Sequence, residues 1–193
     1  MRAVKDEVRL LGVDDAPFEF EDETTELVGT VFRGGDYIEG VLVEEVEVDG
    51  FDVTEKLLKM VNESRHKDQI QAVLLDGVTF AGFNVVDLEK VAEEGEVGAI
   101  AVSRNEPDRE RMDRGLDNVE KKQERKEMID KAGEAKRHEQ DEGPVFFQHS
   151  GISEEKTREV LELANVRGVL PEPVRVSHLI AAGLKSGESK GSA

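Results

Sequence analysis

Two stretches of the chain stay apolar over several residues, and both stop on aspartate. Val8-Arg9-Leu10-Leu11-Gly12-Val13 runs into Asp14-Asp15, and Ala72-Val73-Leu74-Leu75 runs into Asp76-Gly77. Short apolar runs bounded by turn residues predict strands covered on both faces, as inside parallel sheets. A carboxylate where such a strand ends, with glycine behind it, is placed to meet a ligand at the sheet's carboxyl edge. If the two strands are neighbours, Asp14 and Asp76 converge.

The remaining pattern fills in an α/β chain. Glu26 to Arg33 predicts a second strand, Gly34-Gly35-Asp36 a hairpin, and Tyr37 to Val48 the returning strand, so the first three strands form an antiparallel meander. Asp52 and Glu55 stand at capping-box spacing before a helical stripe of Leu57, Leu58 and Val61. Asp87 to Glu94 predicts a short helix ended by Gly95, and Val97 to Ser103 another apolar strand. This alternation predicts parallel pairing with a right-handed crossover. From Asn105 to Gly143 charge dominates, with thin stripes at Met112-Leu116-Val119 and Met128-Ile129-Ala132. That pattern predicts one or two solvated helices at one edge of the core. Pro144 to Phe147 reads as an edge strand, Ser153 caps a helix over Glu154 to Ala164, and a last short helix ends at Leu184. The expected organisation is a single domain over 1–184 with a charged helical excursion at 105–143 and a disordered tail at 185–193.

Composition changes this picture in three ways. Forty-four acidic against 26 basic residues give a net charge of -18. Such a surface repels nucleic acid non-specifically and suits concentrated salt, where self-repulsion is screened over ~3 Å at 1 M. The acids are spread along the chain rather than gathered in a tail, which favours salt adaptation over an acidic docking surface. The absence of cysteine excludes disulfides and thiolate metal sites. No apolar run approaches the ~20 residues of a membrane span, and the first ten residues have no apolar signal region. A cytoplasmic protein without a membrane partner is expected.

The stretches LLGVDDAPF, VGTVFRGGDYIEGVL, SRHKDQ, VLLDGVTFAGFNVVDL and LPEPVRVSHLIA carry a resemblance. Across Val8 to Leu184 the chain is similar to an uncharacterised archaeal family (domain of unknown function 99) related to endonuclease V. The resemblance implies a ribonuclease H-like mixed sheet, an antiparallel meander followed by parallel strands, with helices on both faces. It also implies a divalent-metal-dependent nuclease acting on DNA or RNA phosphodiesters, with Mg2+ or Mn2+ as the cofactor. Asp14 and Asp76 match the two aspartates that hold the metal in endonuclease V, and Arg104 matches a lysine of that family. His178 falls where endonuclease V usually has an aspartate, and Tyr37-Ile38 matches part of its strand-separating wedge.

The chain also departs from endonuclease V. Asp36 and Glu39 replace the prolines that flank the wedge, and the family's strand-end glutamate falls on Val46. The histidine that follows the Asp-Gly pair is absent. These losses support an alternative, a catalytically degenerate nucleic-acid or protein binding module on the same fold. Asp15 is a further carboxylate candidate, although adjacent strand residues point to opposite faces, and Glu44 shares the face of Val46. The loop Gly77 to Asn84 has glycines that allow close backbone approach to a ligand. Gly77, Thr79 and Asn84 are accordingly expected, with Tyr37, to touch nucleic acid. Arg65 and His66 precede the central strand and so lie at its far end, where a packing role is expected. His149 is the remaining candidate histidine.

Overall fold

A computed structural model describes residues 7–19 and 21–189. The six N-terminal residues, and residues 190–193 of the expected tail, lie outside the described residues. The chain runs β1 (Arg9–Asp15), β2 (Thr24–Arg33), β3 (Tyr37–Glu47), α1 (Val53–Glu63), β4 (Ile70–Asp76), β5 (Thr79–Phe80), β6 (Asn84–Val85), α2 (Leu88–Gly95) and β7 (Gly98–Ser103). It continues through α3 (Arg109–Leu116), α4 (Lys122–Lys131), β8 (Lys136–His138), β9 (Val145–Ser150), α5 (Glu154–Ala164) and α6 (Glu172–Ser186). Seven strands make one sheet in the order β3-β2-β1-β4-β7-β9-β8. The meander β1-β2-β3 is antiparallel, while β1-β4 and β4-β7 are parallel. This is the mixed α/β sheet that the alternation of apolar runs predicts.

Each face of the sheet has its own core. Leu11, Val13, Val73 and Leu75 point to one side and pack with α1 and α2 through Leu57, Val61 and Val91. Leu10, Ala72 and Leu74 point to the other and meet α5 and α6 through Leu161 and Val174. Strand alternation separates the two sets. It also settles which face each terminal aspartate takes, because Asp14 and Asp76 continue the set that faces α6.

Local expectations fail in four places. Asp52 occupies the N-cap of α1, but its carboxylate does not cap. It accepts instead from Asn84 Nδ2 at 2.7 Å, and Asn84 Oδ1 takes the Val53 N–H at 3.1 Å. A buried carboxamide from a distant loop thus replaces the local capping box. Helix α2 ends through Glu96 in the left-handed region (φ 54°), one residue beyond the expected glycine. Strand β9 is not an edge, since β8 covers it antiparallel. Of Lys136, Arg137 and His138 only His138 is buried, which leaves no apolar alternation to read. Helix α6 runs to Ser186, two residues past Leu184, and is the longest among the described residues.

The charged excursion is bound more tightly than its thin stripes predict. Leu116 and Ile129 pack on Val85, and α4 inserts Arg125, which is only 2% exposed. The Arg125 guanidinium donates to the carbonyls of Glu120 and Gly50, each at 2.9 Å, and to those of Asp49 and Phe83. It lies over the Phe51 ring at 4.0 Å. Arg125→Ala is expected to cost about 3 kcal/mol or more, because several buried carbonyls lose their donor together. Urea unfolding would register this as a lower midpoint with an unchanged slope. A midpoint within a few tenths molar of wild type would mean that water replaces the guanidinium.

Candidate functional site

Strands β1 and β4 are parallel neighbours with Val13 opposite Leu75. Asp14 and Asp76 therefore leave the sheet side by side at its carboxyl edge, on the face covered by α6. Helix α6 sits unusually close to β1. A Cβ at Gly12 would stand 2.2 Å from the Pro173 carbonyl carbon, so only glycine admits this approach. Ser177 Oγ donates to the Gly12 carbonyl at 2.8 Å, and Thr30 Oγ1 donates to the Pro173 carbonyl at 2.7 Å. This buried clasp fixes the helix over the strand and brings the next residue, His178, onto Asp14. His178 Nδ1 lies 2.7 Å from Asp14 Oδ2.

Asp14, Asp76 and His178 each offer a ligand atom, and these atoms all lie within 4.8 Å of one another. Among the described residues no other group of this kind forms. The electrostatics are those of a site short of positive charge. Burial first, then the neighbouring Asp14, pushes the Asp76 carboxyl up to about 7. Burial and Asp14 likewise push Asp15 up to about 6. The hydrogen bond to Asp14 raises the His178 imidazole above its ordinary value.

The site opens into a cleft of about 1000 Å3 lined by Asp76, Thr79, Phe83, Arg104, Arg111, Met112 and His178, among others. Arg104 follows the end of β7, and Asp76 pairs with Val102 on that strand. Its positive charge acts on both Asp76 and His178. Asp15 turns to the opposite face, as its neighbour's orientation requires. Its Oδ2 accepts the Ala81 N–H at 2.9 Å, which ties β1 to the loop of Gly77 to Asn84.

Four expected positions are not brought to the cleft in a form that can meet a ligand. Tyr37 pairs with Arg33, which pairs with Arg9 at the amino end of β1. It therefore lies at the sheet edge opposite Asp14 and stands exposed beside the Arg33 guanidinium. Asn84 is fully buried and uses its carboxamide on Glu47, Asp52 and Val53. Val46 is buried in the α1-side core, and Glu44 faces the same side, where it pairs with Lys59 at 2.8 Å. Neither can join Asp14, which points to the other face. Thr79 does line the cleft. Gly77 turns the chain in the left-handed region (φ 84°) and donates its N–H to the Val102 carbonyl at 2.8 Å. At the far edge Arg65 donates to His66 Nε2 at 3.0 Å and to the Glu39 carbonyl at 3.2 Å. His149 is held by the Ile152 carbonyl at 2.9 Å.

The sequence pointed to neither Arg111 nor Ser177, and to Phe83 only as a member of the loop Gly77 to Asn84. Ser177 stands beside His178 in a helix whose placement rests on the close approach of Pro173 to Gly12 and on contacts remote in sequence. Phe83 was visible as one of two phenylalanines, with Phe80, between the Gly77 turn and Asn84, but nothing local directs it rather than Phe80 toward the excursion.

Comparison with known proteins identifies the family and the fold. The family model described as endonuclease dU matches residues 6–185. A UPF0215 protein of Methanopyrus kandleri is 43% identical over 195 residues, covering 100% of this chain and 99% of the relative. The crystal structure of a protein of unknown function from Archaeoglobus fulgidus superposes with a TM-score of 0.82 at 35% identity, over 92% of this chain and 98% of that one. Ciona intestinalis endonuclease V, solved with a DNA containing an inosine, has a TM-score of 0.58 at 14% identity, over 88% and 82% of the two chains. The latter likeness shows a shared fold, the ribonuclease H-like sheet. By family model and by relatives across its whole length, the chain belongs to the archaeal, endonuclease V-related family described as endonuclease dU.

Proposed function

We propose that the protein is a divalent-metal-dependent endonuclease that cleaves a DNA phosphodiester near deoxyuridine. The observation that carries this reading is the convergence of Asp14, Asp76 and His178 at the edge of a cleft that also holds Arg104. The family description and the DNA-bound endonuclease V neighbour support the substrate class.

The donor set fits a cation. Two carboxylates and an imidazole offer ligand atoms within 4.8 Å of one another, and burial with the neighbouring Asp14 raises the Asp76 carboxyl to about 7. Oxygen with one imidazole nitrogen suits Mn2+ at least as well as Mg2+, which prefers oxygen and water. A divalent cation there supplies Lewis-acid polarisation of a phosphoryl oxygen and makes water more acidic. Asp14 and Asp76 would supply the negative charge that holds such a cation, and His178 Nδ1 would be the third donor. Arg104 neutralises the phosphate from the β7 side of the cleft.

The test is single-turnover cleavage of an end-labelled single strand carrying one deoxyuridine, with a thymidine twin, in Mn2+ and in EDTA. Cleavage of the first substrate in Mn2+ alone is expected, and Asp14→Asn should lower its rate by about 1000-fold, equivalent to about 4 kcal/mol of lost stabilisation. Intact substrate in both Mn2+ and Mg2+, with no cation-dependent rise in melting temperature, would leave the binding module as the surviving reading. Val46, where endonuclease V carries a carboxylate, is the residue that favours that second reading.

A further inference from the structure

The cleft carries more than the metal-type group. In a chain with so many surplus acids, arginines are readily neutralised. Among the described residues, only Arg104, Arg111 and Arg167 have guanidinium groups with no hydrogen bond, ion pair or ring contact. Two of these three line the same cleft. The third, Arg167, is exposed in the loop after α5. Arg111 belongs to α3, within the charged excursion. Its backbone N–H donates to the Asp108 carboxylate at 2.9 Å as part of the α3 N-cap.

Phe83 lines the same cleft as Arg111, and its place is over-determined. Its N–H donates to Asp49 Oδ1 at 2.7 Å, and its carbonyl accepts from the buried Arg125. The backbone just before it is strained, with Ala81 at φ 42°. The Asp15 carboxylate and the Asp49 N–H hold Ala81 from either side. Non-glycine residues in this region cost free energy and persist only where surrounding contacts force them. The Phe83 ring lies against α3 at Gly115, where a Cβ would stand 2.4 Å from it. Three separate carboxylate or guanidinium contacts thus fix the backbone around Phe83, whose half-buried ring packs on Val85, Leu116 and Ile129 and lines the cleft that Asp76 also lines.

We propose that Phe83 and Arg111 form a nucleotide subsite of the cleft, in which the ring stacks on a base and the guanidinium holds the neighbouring phosphate. This rests on the nuclease reading, and it names the form of the substrate as an unpaired strand. An aromatic ring can stack on a base only where the base's own face is free, which a closed duplex denies. An unpaired arginine beside a ring is the pairing that single-strand clefts use, phosphate by charge and base by its π-face. On this account the charged excursion supplies one wall of the binding cleft, with α4 anchoring it through Arg125.

The probe is a labelled 12-mer single strand with one deoxyuridine, its duplex, and the single-turnover assay at 0.15 M salt, where repulsion from the acidic surface is screened over ~8 Å. Arg111→Gln and Phe83→Leu are each expected to raise the half-saturating enzyme concentration about tenfold with little change in the plateau rate. Arg111→Lys and Phe83→Tyr, which keep the charge and the ring, should restore most of the affinity and control for misfolding. The duplex should bind at least tenfold more weakly than the strand. Unchanged saturation in Arg111→Gln and Phe83→Leu, with cleavage still lost in Asp14→Asn, would overturn the subsite and leave the nuclease reading intact. Equal binding of duplex and strand would overturn the claim of an unpaired substrate. If wild type neither binds the strand by fluorescence anisotropy nor cuts it, the nuclease reading falls and the subsite with it.

Discussion

In metal-free buffer, Asp76→Asn is expected to stabilise the protein by about 2 to 4 kcal/mol at pH 8 and by almost nothing below pH 4. The Asp76 carboxyl moves from 3.8 to about 7 on folding. The folded state therefore prefers the protonated form, and the stability tied to that proton is fully present below pH 3.8. It is lost as the pH rises through about 7, at about 1.4 kcal/mol per pH unit at most. Asp15, pushed up to about 6, and His178, raised by its bond to Asp14, act in the same direction. Wild type in EDTA should thus weaken steadily from pH 4 to pH 8, and the asparagine variant, fixed in the neutral form, should weaken much less. Urea titrations at pH 4, 6 and 8 separate the two. Parallel pH dependence in both proteins would show that Asp76 ionises freely and that the edge holds no excess of negative charge.

How much of this was legible beforehand differs by scale. The convergence of Asp14 and Asp76 follows from two apolar runs that end in the same way, because adjacent parallel strands present their carboxyl ends at one edge. Strand alternation even allows the face to be read, since Leu10, Gly12 and Asp14 share a side. Charge and local spacing said nothing of Arg125. A basic residue among acids looks like a solvated face, and its burial depends on carbonyls at Asp49, Gly50 and Phe83, more than thirty residues away in sequence. The Asp52–Glu55 spacing reads as a capping box for a local reason, yet Asn84 arrives from the loop after β4 and takes the cap. Tyr37 was placed by resemblance rather than by geometry. The register of the meander puts it some five residues from Asp14 along β1, roughly 17 Å at strand spacing.

Strand β3 offers Val46 and Glu44 only to the α1 face, so no acid on that side can turn toward Asp14. The third donor comes instead from α6, and it can be positioned only because Gly12 lets the helix lie against the strand. A histidine there behaves differently from an aspartate. Its bond to Asp14 favours the protonated imidazole, and a cation at that nitrogen would compete with the proton.

That exchange makes cation affinity a function of pH, and it gives the second large effect. Mn2+ binding is expected to strengthen by about 100-fold between pH 6 and pH 8, the result of releasing about one proton per ion across two pH units. The direction follows from the groups involved. Asp76, at about 7, is largely protonated at pH 6, and His178 holds a proton there because its bond to Asp14 raises it above 6.5. Protons and the cation compete for the same lone pairs, so affinity climbs as both groups ionise and levels off above them. Calorimetric titration of Mn2+ in two buffers of different ionisation enthalpy counts the released protons directly. His178→Ala should bind more weakly at pH 8 and show a shallower pH slope, because one of the two competing protons is gone. Asp76→Asn should lose binding at every pH. A wild-type affinity that is flat from pH 6 to pH 8 would mean that the ion, if bound, touches neither His178 nor Asp76.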